Sequence, residues 1–553
     1  MMLLAEGLVR ALELWDQGKI DQLPDNLMRD RLPVTLIQIL NRTLMSETPA
    51  ETQNPEQHLE SIAYAVLTLK TLSSLPWLSS LTEVVLTSIE QSQQLLRDCR
   101  DSWNKPQYLW VEKVTYGSPS LAGAYYLAAV QKIKQSHPWT DKVKHLVQVP
   151  EKETKKINHL FTKLHCFQNK PAWKIQASVL EGLVFLQQLK VSQANVLAGQ
   201  QPGKNEYLSF IPCSWVVVNN LEGLFLDTYL LWDMMTLTLG NFRVDEYMET
   251  TLANLSAHDI EDAKALIETL CQEPNRKRKS PSSPSDATRA TPAKKSLIAN
   301  GHAMTNGHDP TLSTTPPPPP PTTTTLSTIH ATLAPYIHTL LTHPRIRPAP
   351  ANTLHTLRTT LATFLSSHLS QSQHNKNFTT QTPPPSSTPT SLTPLYQTTT
   401  PFPTYMSTTA APSVSALFSF AYLSCLLGGL PDPLTRHIGT EFATRVAVMS
   451  RLYNDLGSMA RDRAEGNVNC VNFREFHGNG DGGGEECDGV EAVKGRVERV
   501  ARFEREAVGW VGGRLAGELE GRRGGVRLFG GVAGLYADVY VVRDLSNRVA
   551  GGV

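Results

Sequence analysis

Paired cysteines are missing from this sequence. Its seven cysteines, at positions 99, 166, 213, 271, 425, 470 and 487, are odd in number and scattered, and no CxxC occurs. That pattern supports neither a disulfide framework nor a zinc module. Charge is sparse: 19% of the residues are Asp, Glu, Lys or Arg, against a usual share of about 25%. The formal net charge of +1 over 553 residues excludes a uniformly basic, nucleic-acid-coating protein, so no nucleic-acid partner is expected. Long apolar runs are also lacking. The most apolar stretch, 414–430, is interrupted by Ser415, Ser419 and Ser424 and ends in Gly-Gly-Leu before Pro431, which favours a buried helix over a stable membrane span. The N-terminal MMLLAEGLVRALELWDQGK holds Glu6 and Glu13 inside its apolar positions and reads as an amphipathic helix, not a signal peptide. The expectation is a soluble, reduced, cytoplasmic protein.

What is present is unevenly spread. Of 37 prolines, 22 fall between Cys271 and Ala410, and 21 of 35 glycines fall from Arg451 onward. Leucines and valines recur at three- and four-residue spacings through LTLKTLSSLPWLSSLTEVVLTSIEQSQQLL, the spacing of one helix face. Strand-like alternation is nearly absent, so the predicted class is all-α. A helical unit is expected over 1–150 and a second over 151–553, the latter interrupted in three places. Residues 272–325, with NRKRKSPSSPSD and a six-proline run, have no apolar face to offset ordering entropy and are predicted to be disordered. The RKRK at 276–279 reads either as a solvated basic linker or as a nuclear-localisation signal. The other two interruptions are the Pro/Thr-rich 379–412 and the glycine-rich loop 477–491.

Two acidic constellations stand out. In VDEYMET, Asp245 and Glu249 are four residues apart, so on a helix they lie about 40° apart on one face, with Glu246 beside them. Two like charges so placed repel by a few tenths of a kcal/mol unless a cation joins them. In RLYNDLGSMARD, Asn454, Ser458 and Asp462 follow an i, i+4, i+8 stripe, with Asp455 adjacent. Amide, hydroxyl and carboxylate are hard oxygen donors, suited to Mg²⁺ and poorly suited to zinc. Mg²⁺ is usually held by a few carboxylates together with water and substrate phosphates, which points to a phosphorylated substrate. Either motif alone is compatible with a solvated polar helix face. Asn and Ser are nevertheless poor helix-interior choices without a role.

Taken together on apolar helices, VDEYME and NDLGSMARD resemble the paired metal-binding motifs of class I terpene synthases. ILNRTL at 39–44, YLWVEKVTYGSP at 108–119, NNLEGLFLDTYLLWDMM at 219–235, RLYNDLGSMARDRAEGNVNCVNFREF at 451–476 and DVYVVRDLSNR at 538–548 narrow this. They resemble the fungal diterpene synthases of the bifunctional copalyl diphosphate/ent-kaurene synthase type. The resemblance implies a class I helical bundle preceded by a partial α-helical barrel domain. It implies Mg²⁺ held by Asp245, Glu246 and Glu249 at one rim and by Asn454, Ser458 and Asp462 at the other, with Asp245 and Asn454 essential to catalysis. Arg461 is either a contact to the substrate diphosphate or, like Arg463, a surface partner of Asp462 and Glu465. Aromatic side chains able to shield and stabilise a carbocation would come from Trp215, Phe225, Tyr229, Trp232, Phe418, Phe420 and Tyr422.

The class II motif of such enzymes, DxDD, occurs nowhere in the 553 residues, and Pro55, Glu56 and Gln57 stand where a QxDGSW element is expected. The implied activity is therefore Mg²⁺-dependent ionisation of copalyl diphosphate and cyclisation to an ent-kaurene-like or related diterpene in fungal secondary metabolism. A separate class II cyclase would supply the substrate, with geranylgeranyl diphosphate as the other candidate. The alternative is a truncated, non-catalytic remnant of a bifunctional synthase, favoured by the many glycines after Glu506, since each costs a helix about 0.8–1.0 kcal/mol relative to alanine.

Overall fold

The computed structural model describes the chain apart from residues 21–23, 25, 47–57, 106–108, 112–113, 133–136, 194–195, 198–206, 252–254, 273–321, 382–392, 479–488 and 543–553. The fold is all-α. The first group of helices is α1 (Met2–Asp16), α2 (Leu32–Met45), α3 (Leu59–Leu72), α4 (Thr82–Asp98), α5 (Pro119–Val130) and the one-turn α6 (Asp141–Lys144). Next come α7 (Glu151–Phe161), α8 (Ala172–Gln193), α9 (Phe210–Leu221), α10 (Thr228–Thr251) and α11 (Ala257–Cys271). After the 273–321 segment follow α12 (Thr322–Leu341), α13 (Ala351–Gln381), the short α14 (Phe402–Tyr405) and α15 (Ala411–Ser413), and α16 (Ala416–Leu426). The chain closes with α17 (Pro433–Glu465), α18 (Val490–Glu518) and α19 (Arg523–Val542). The sheet structure among the described residues is one antiparallel pair, β1 (Leu109–Val111) with β2 (Val114–Tyr116), in the register Leu109 to Tyr116.

In the first group α3 is central, packed by α1, α2, α4 and α5. Helix α2 also reaches across to α8 and α9, and a buried carboxylate explains the contact. Glu181 on α8 accepts from Gln38 Nε2 at 3.1 Å, Asn41 Nδ2 at 2.8 Å and Asn220 Nδ2 at 2.7 Å. A carboxylate taken out of water must be met by donors, and here three amides from two other helices meet it. Burial still pushes its pKa up, against the pull of those hydrogen bonds. Arg42 adds hydrogen bonds to the Phe225 and Leu226 carbonyls. The strings 39–44 and 219–235 thus meet each other as structural partners.

Helix α17 runs 33 residues because both its ends are specified. Asp432 caps the N-terminus, accepting from the Leu434 and Thr435 amides at 2.9 and 3.0 Å, and Pro433 takes the first helical position, where a missing N–H costs nothing. Gly466 ends it at φ 73°, in the left-handed region. A Cβ there would lie 2.8 Å from Thr379 Oγ1, so the end of α13 sits directly against the end of α17.

Several expectations need correction. Residues 322–325 are not part of a disordered segment, because α12 begins at Thr322. The Pro/Thr-rich 379–412 is not simply an interruption: α13 continues to Gln381, and Tyr405, Met406, Ala410 and Ala411 are buried against the bundle. Prolines at 401, 403 and 412 fall outside or in the first turn of short helices, where proline is tolerated. The glycine-rich loop stops short of 491, since α18 begins at Val490. RKRK at 276–279, Pro55 to Gln57 and Cys487 lie outside the described residues. The other six cysteines are free thiols. The 414–430 stretch forms the eleven-residue α16, mostly buried. Among the described residues α19 is the one helix long and apolar enough to cross a membrane, and 56% of its apolar window is buried in the bundle; α14–α15 with α16 would reach that length only as a pair bent by 54°.

The late glycines do not prevent helix formation; α18 and α19 are both formed. In α19 they permit close packing. A Cβ on Gly531 would lie 2.6 Å from Val218 Cγ1, and one on Gly525 2.9 Å from a Leu427 methyl. Gly512 of α18 similarly makes room for Phe442, at 2.7 Å, and Gly457 of α17 abuts the Tyr540 carbonyl, at 2.4 Å. Gly495, in α18, has nothing within 4 Å. We therefore expect Gly457→Ala to lower stability by about 1–3 kcal/mol through overpacking. Gly495→Ala is expected to raise it by about 1 kcal/mol. Urea denaturation followed by circular dichroism distinguishes the two; equal effects would contradict the packing described.

Candidate functional site

Helix α10 carries the first acidic motif, and its three carboxylates have different environments. Glu246 pairs with buried Arg243 one turn earlier on the same helix. Asp245 faces α13, where His368 Nε2 lies 3.1 Å from Asp245 Oδ1. His368 is held edge-on to the Phe364 ring, with centroids 4.9 Å apart, and Phe364 stacks on Phe418. Asp245 Oδ1 is buried and has no donor in hydrogen-bond geometry. Glu249 keeps contact with solvent, yet protein crowds it enough that desolvation is the first cause of its raised pKa. Asp245 and Glu465 also raise that pKa, while His368 and Arg461 lower it. Arg461 and Glu465 belong to α17, so the fields of the two motif helices meet at Glu249.

On α17 the stripe is real but its members differ. Ser458 and Asp462 are buried. Ser458 Oγ donates to Asp462 Oδ2 at 2.6 Å, and Asn469 Nδ2 donates to the same oxygen at 2.8 Å. Asn454 is half-buried, and its amide makes no side-chain hydrogen bond among the described residues. Arg461 Nη2 stands 3.6 Å from Asp462 Oδ1, and its Nε 4.0 Å from Glu465. At these distances the two acids act on Arg461 through their charge.

Asp455, adjacent to Asn454, has a separate role. It is fully buried, 2.8 Å from Arg451 Nε, and accepts the Cys470 amide at 2.9 Å. Arg451 also donates to the Val468 carbonyl, and Asn469 Nδ2 donates to the Asp455 carbonyl at 2.8 Å. Burial pushes the Asp455 pKa up, and Arg451 opposes that. Asp455 therefore fixes the 468–472 segment, which in turn delivers Asn469 to Asp462. From α13, Asn375 Oδ1 accepts the Val468 amide and Asn375 Nδ2 donates to Asn467.

Below the acidic rim, one helical turn from Asp245, Asn241 donates to Ser419 Oγ at 2.9 Å and accepts from Tyr336 at 3.3 Å. At the far end of α10, about 18 Å from Asp245 at 1.5 Å per residue, buried Asp233 pairs with Arg345 at 2.8 Å. Of the aromatic candidates, Trp215, Phe418, Phe420 and Tyr422 are buried. Trp215 donates to Thr238 on α10, whereas Phe420 packs on Phe442 and Phe529 in the core between α16, α17 and α19. Trp232 is half-buried, stacked on Phe185. Tyr229 is 56% exposed and cannot screen an interior cation. Phe225 sits in the turn before α10, against Arg42. Two recesses of about 610 and 600 Å³, one lined by Tyr396, Phe473 and His477 and the other by Leu270, Pro335 and Arg358, include none of the acidic-motif residues.

The donor set suits a hard divalent cation: carboxylates, an amide and a hydroxyl, with the buried Asp245 Oδ1 lacking a hydrogen-bond donor. No three His, Cys, Asp or Glu side chains among the described residues converge as a metal cluster. Few protein ligands per ion is the usual arrangement for Mg²⁺ shared with phosphate.

The all-α bundle, with the acidic motif on α10 and the Asn/Ser/Asp stripe on α17, is consistent with the helical fold of terpene synthases. No protein-family model matches the chain. Its homologues among curated proteins are fungal diterpene synthases. It is 28% identical over 492 residues to a pimaradiene synthase of Emericella nidulans, covering 86% of this chain and 47% of that protein. It is 24% identical over 577 residues to an ent-kaur-16-ene synthase of Fusarium fujikuroi, covering 99% of this chain and 55% of that one. A phyllocladan-16-alpha-ol synthase of Phomopsis amygdali is 23% identical over 596 residues, with coverage of 99% and 55%. The chain spans about half the length of these relatives.

Sequence reasoning missed His368, Asn375 and Asn469. Asn469 could have been flagged by its place in NVNCVN, directly after the motif helix; His368 carries no local signal. Neighbouring Asn454 and Asp455 offer a sharp contrast. We expect Asp455→Ala to cost about 3–5 kcal/mol by stranding buried Arg451. Asn454→Ala is expected to stay within about 0.5 kcal/mol of wild type. Chemical denaturation of both variants checks this, and comparable losses would overturn the assignment of separate roles.

Proposed function

We propose that this chain is a class I diterpene synthase that ionises copalyl diphosphate and cyclises the resulting cation to an ent-kaurene-like or related diterpene, releasing diphosphate. The observation that carries the reading is a set of hard oxygen donors on two helices: Asp245 on α10, whose buried Oδ1 has no hydrogen-bond partner among the described residues, and Ser458 and Asp462 on α17, 2.6 Å apart. The homologues' names as diterpene synthases support the reaction class. These residues hold no DxDD, so the proposal places on them the ionisation of copalyl diphosphate and not the acid-initiated cyclisation of geranylgeranyl diphosphate.

Breaking the allylic C–O bond leaves its electron pair on the diphosphate and a cation on carbon. Asp245 and Glu249 on one side, and Asn454, Ser458 and Asp462 on the other, would hold Mg²⁺, which when bound neutralises charge developing on the leaving group. Glu246, committed to Arg243, assists from beside them. Arg461, 3.6 Å from Asp462 and 4.0 Å from Glu465, would turn toward a diphosphate oxygen as its charge grows. Asn469 presents an N–H to Asp462 and so keeps its second oxygen directed along the stripe. Deeper, the Asn241–Ser419–Tyr336 hydrogen bonds satisfy the polar atoms in the interior. A carboxylate or an unpaired hydroxyl there would capture the cation; a satisfied amide and an aromatic ring are poorer nucleophiles. Phe364 and Phe418 exclude water from the same wall.

The experiment supplies purified protein and Mg²⁺ with copalyl diphosphate in one reaction and geranylgeranyl diphosphate in another, with products read by gas chromatography–mass spectrometry. A diterpene hydrocarbon or alcohol from copalyl diphosphate alone is expected. Asp245→Ala and Asn454→Ala should each lower turnover by about 10²–10³-fold with helicity unchanged. No product from either substrate, given a helical circular-dichroism spectrum, would sink the proposal in favour of a non-catalytic remnant. Full turnover in both variants would sink the metal assignment.

A further inference from the structure

Helix α18 packs on α17 and α19 with one face and leaves the other bare. The bare face is not polar. Trp510 is 77% exposed and Phe503, two turns earlier, 61%. Between and beyond them Gly509, Gly513 and Gly517 recur every fourth residue, each exposed. A Cβ at any of the three would meet nothing within 4 Å. This contrasts with Gly512 on the same helix and with Gly531 on α19, which have neighbours pressed against them. Three open helical glycines forgo about 0.8–1.0 kcal/mol each relative to alanine, and no contact among the described residues offsets that.

We propose that this face of α18 is the interface of a homodimer, in which α18 packs antiparallel on α18 of a second copy about a two-fold axis near Trp510. The charge pattern selects a second copy over other occupants. In an antiparallel pair centred on 510, residue i faces residue 1020 − i of the other chain, the reciprocal pairing of a two-fold interface. Glu506 then faces Arg514 and Arg502 faces Glu518, so every charged pair across the axis is of opposite sign. Phe503 falls opposite Gly517, a large side chain against an open position, and Ala507 falls opposite Gly513. Trp510 meets its own copy on the axis. Small residues let the two backbones approach closely, and the aromatics supply the buried area. Arg514 and Arg502 now pair with Glu518 and Glu498 on their own helix, in exposed i, i+4 contacts. Such contacts are worth little and exchange readily for pairs across the axis. A lipid surface is a poorer match, because the mixed, balanced charges of this face give no net attraction to anionic headgroups.

The test is sedimentation velocity on the full chain over a range of concentrations. A dimer is expected. Gly513→Leu, which places bulk in open space and so leaves the monomer's fold intact by circular dichroism, should raise the dimer dissociation constant at least about tenfold. Arg514→Glu alone should weaken the dimer, and the double swap Glu506→Arg with Arg514→Glu should restore it, since the pairing across the axis is regained. Trp510→Cys should give an intermolecular disulfide-linked dimer under oxidation. A wild-type monomer at every concentration overturns the proposal, as does a dimer indifferent to all of these variants. Co-sedimentation of a monomer with phosphatidylserine vesicles, lost in a Trp510→Ser variant, would replace it with a membrane contact. None of these readouts depends on catalysis.

Discussion

A fully buried carboxylate on α17 organises the region around it. Asp455 cannot remain ionised away from water without compensation, and the chain supplies the charge of the Arg451 guanidinium 2.8 Å away and a hydrogen bond from the Cys470 amide. Satisfying it requires the chain beyond Gly466 to fold back along α17, so the 468–472 segment is pinned against the helix that precedes it. Asn469 is then the residue that reaches both the Asp455 carbonyl and the Asp462 carboxylate. One buried charge therefore sets the rotation of the helix: successive residues are about 100° apart, so holding Asp455 inward keeps Asp462, about 20° away on the same face, buried beside it and turns Asn454 toward the half-buried edge. The motif's regular spacing is useful only because this rotation of the helix is fixed.

The acidic rim presents a related problem, solved by sharing. Asp245, Glu249 and Glu465 bring like charges together while keeping contact with solvent, and crowding by protein together with that repulsion pushes the Glu249 pKa up. His368 and Arg461 offset part of it from α13 and α17. His368 Nε2 and Asp245 Oδ1, though 3.1 Å apart, are both without hydrogen-bond geometry among the described residues. An arrangement that leaves carboxylate oxygens partly uncommitted is a poor way to stabilise a fold and a good way to keep ligand positions open.

The fold class and both motif stripes were legible in the sequence because they are local. Helical periodicity and i, i+4 spacing depend on nothing beyond one turn of chain, and Asp245, Glu249, Asn454, Ser458 and Asp462 all lie on the helices their spacing implied. What brings them together was not legible. His368 and Asn375 lie on α13, separated from α10 in sequence by the whole 273–321 segment; the helical pattern of TLHTLRTTLATFLSSHL marks α13 as a helix but not the helices it packs against. Proline content misled for a similar reason. Composition marked 379–412 as an interruption, but prolines at first-turn positions leave the hydrogen bonds of short helices intact, and buried Tyr405 and Met406 hold those helices in the core.

Glycine shows why composition alone cannot decide between a compromised fold and a closely packed one. Counted along the chain, the late glycines are a single surplus; sorted by what lies over each Cα, they are two populations. Those at 457, 512, 525 and 531 stand where a side chain would collide with a neighbouring helix. The entropy they forfeit is returned as close approach of α9, α17, α18 and α19, the helices that bring the C-terminal end of the chain against the motif helix. Those at 509, 513 and 517 have no such neighbour. The same residue type on one helix thus closes an interface on the inner face and leaves the outer one open. Composition counts both kinds alike; only the neighbours over each position separate a glycine that closes a contact from one that leaves a surface open.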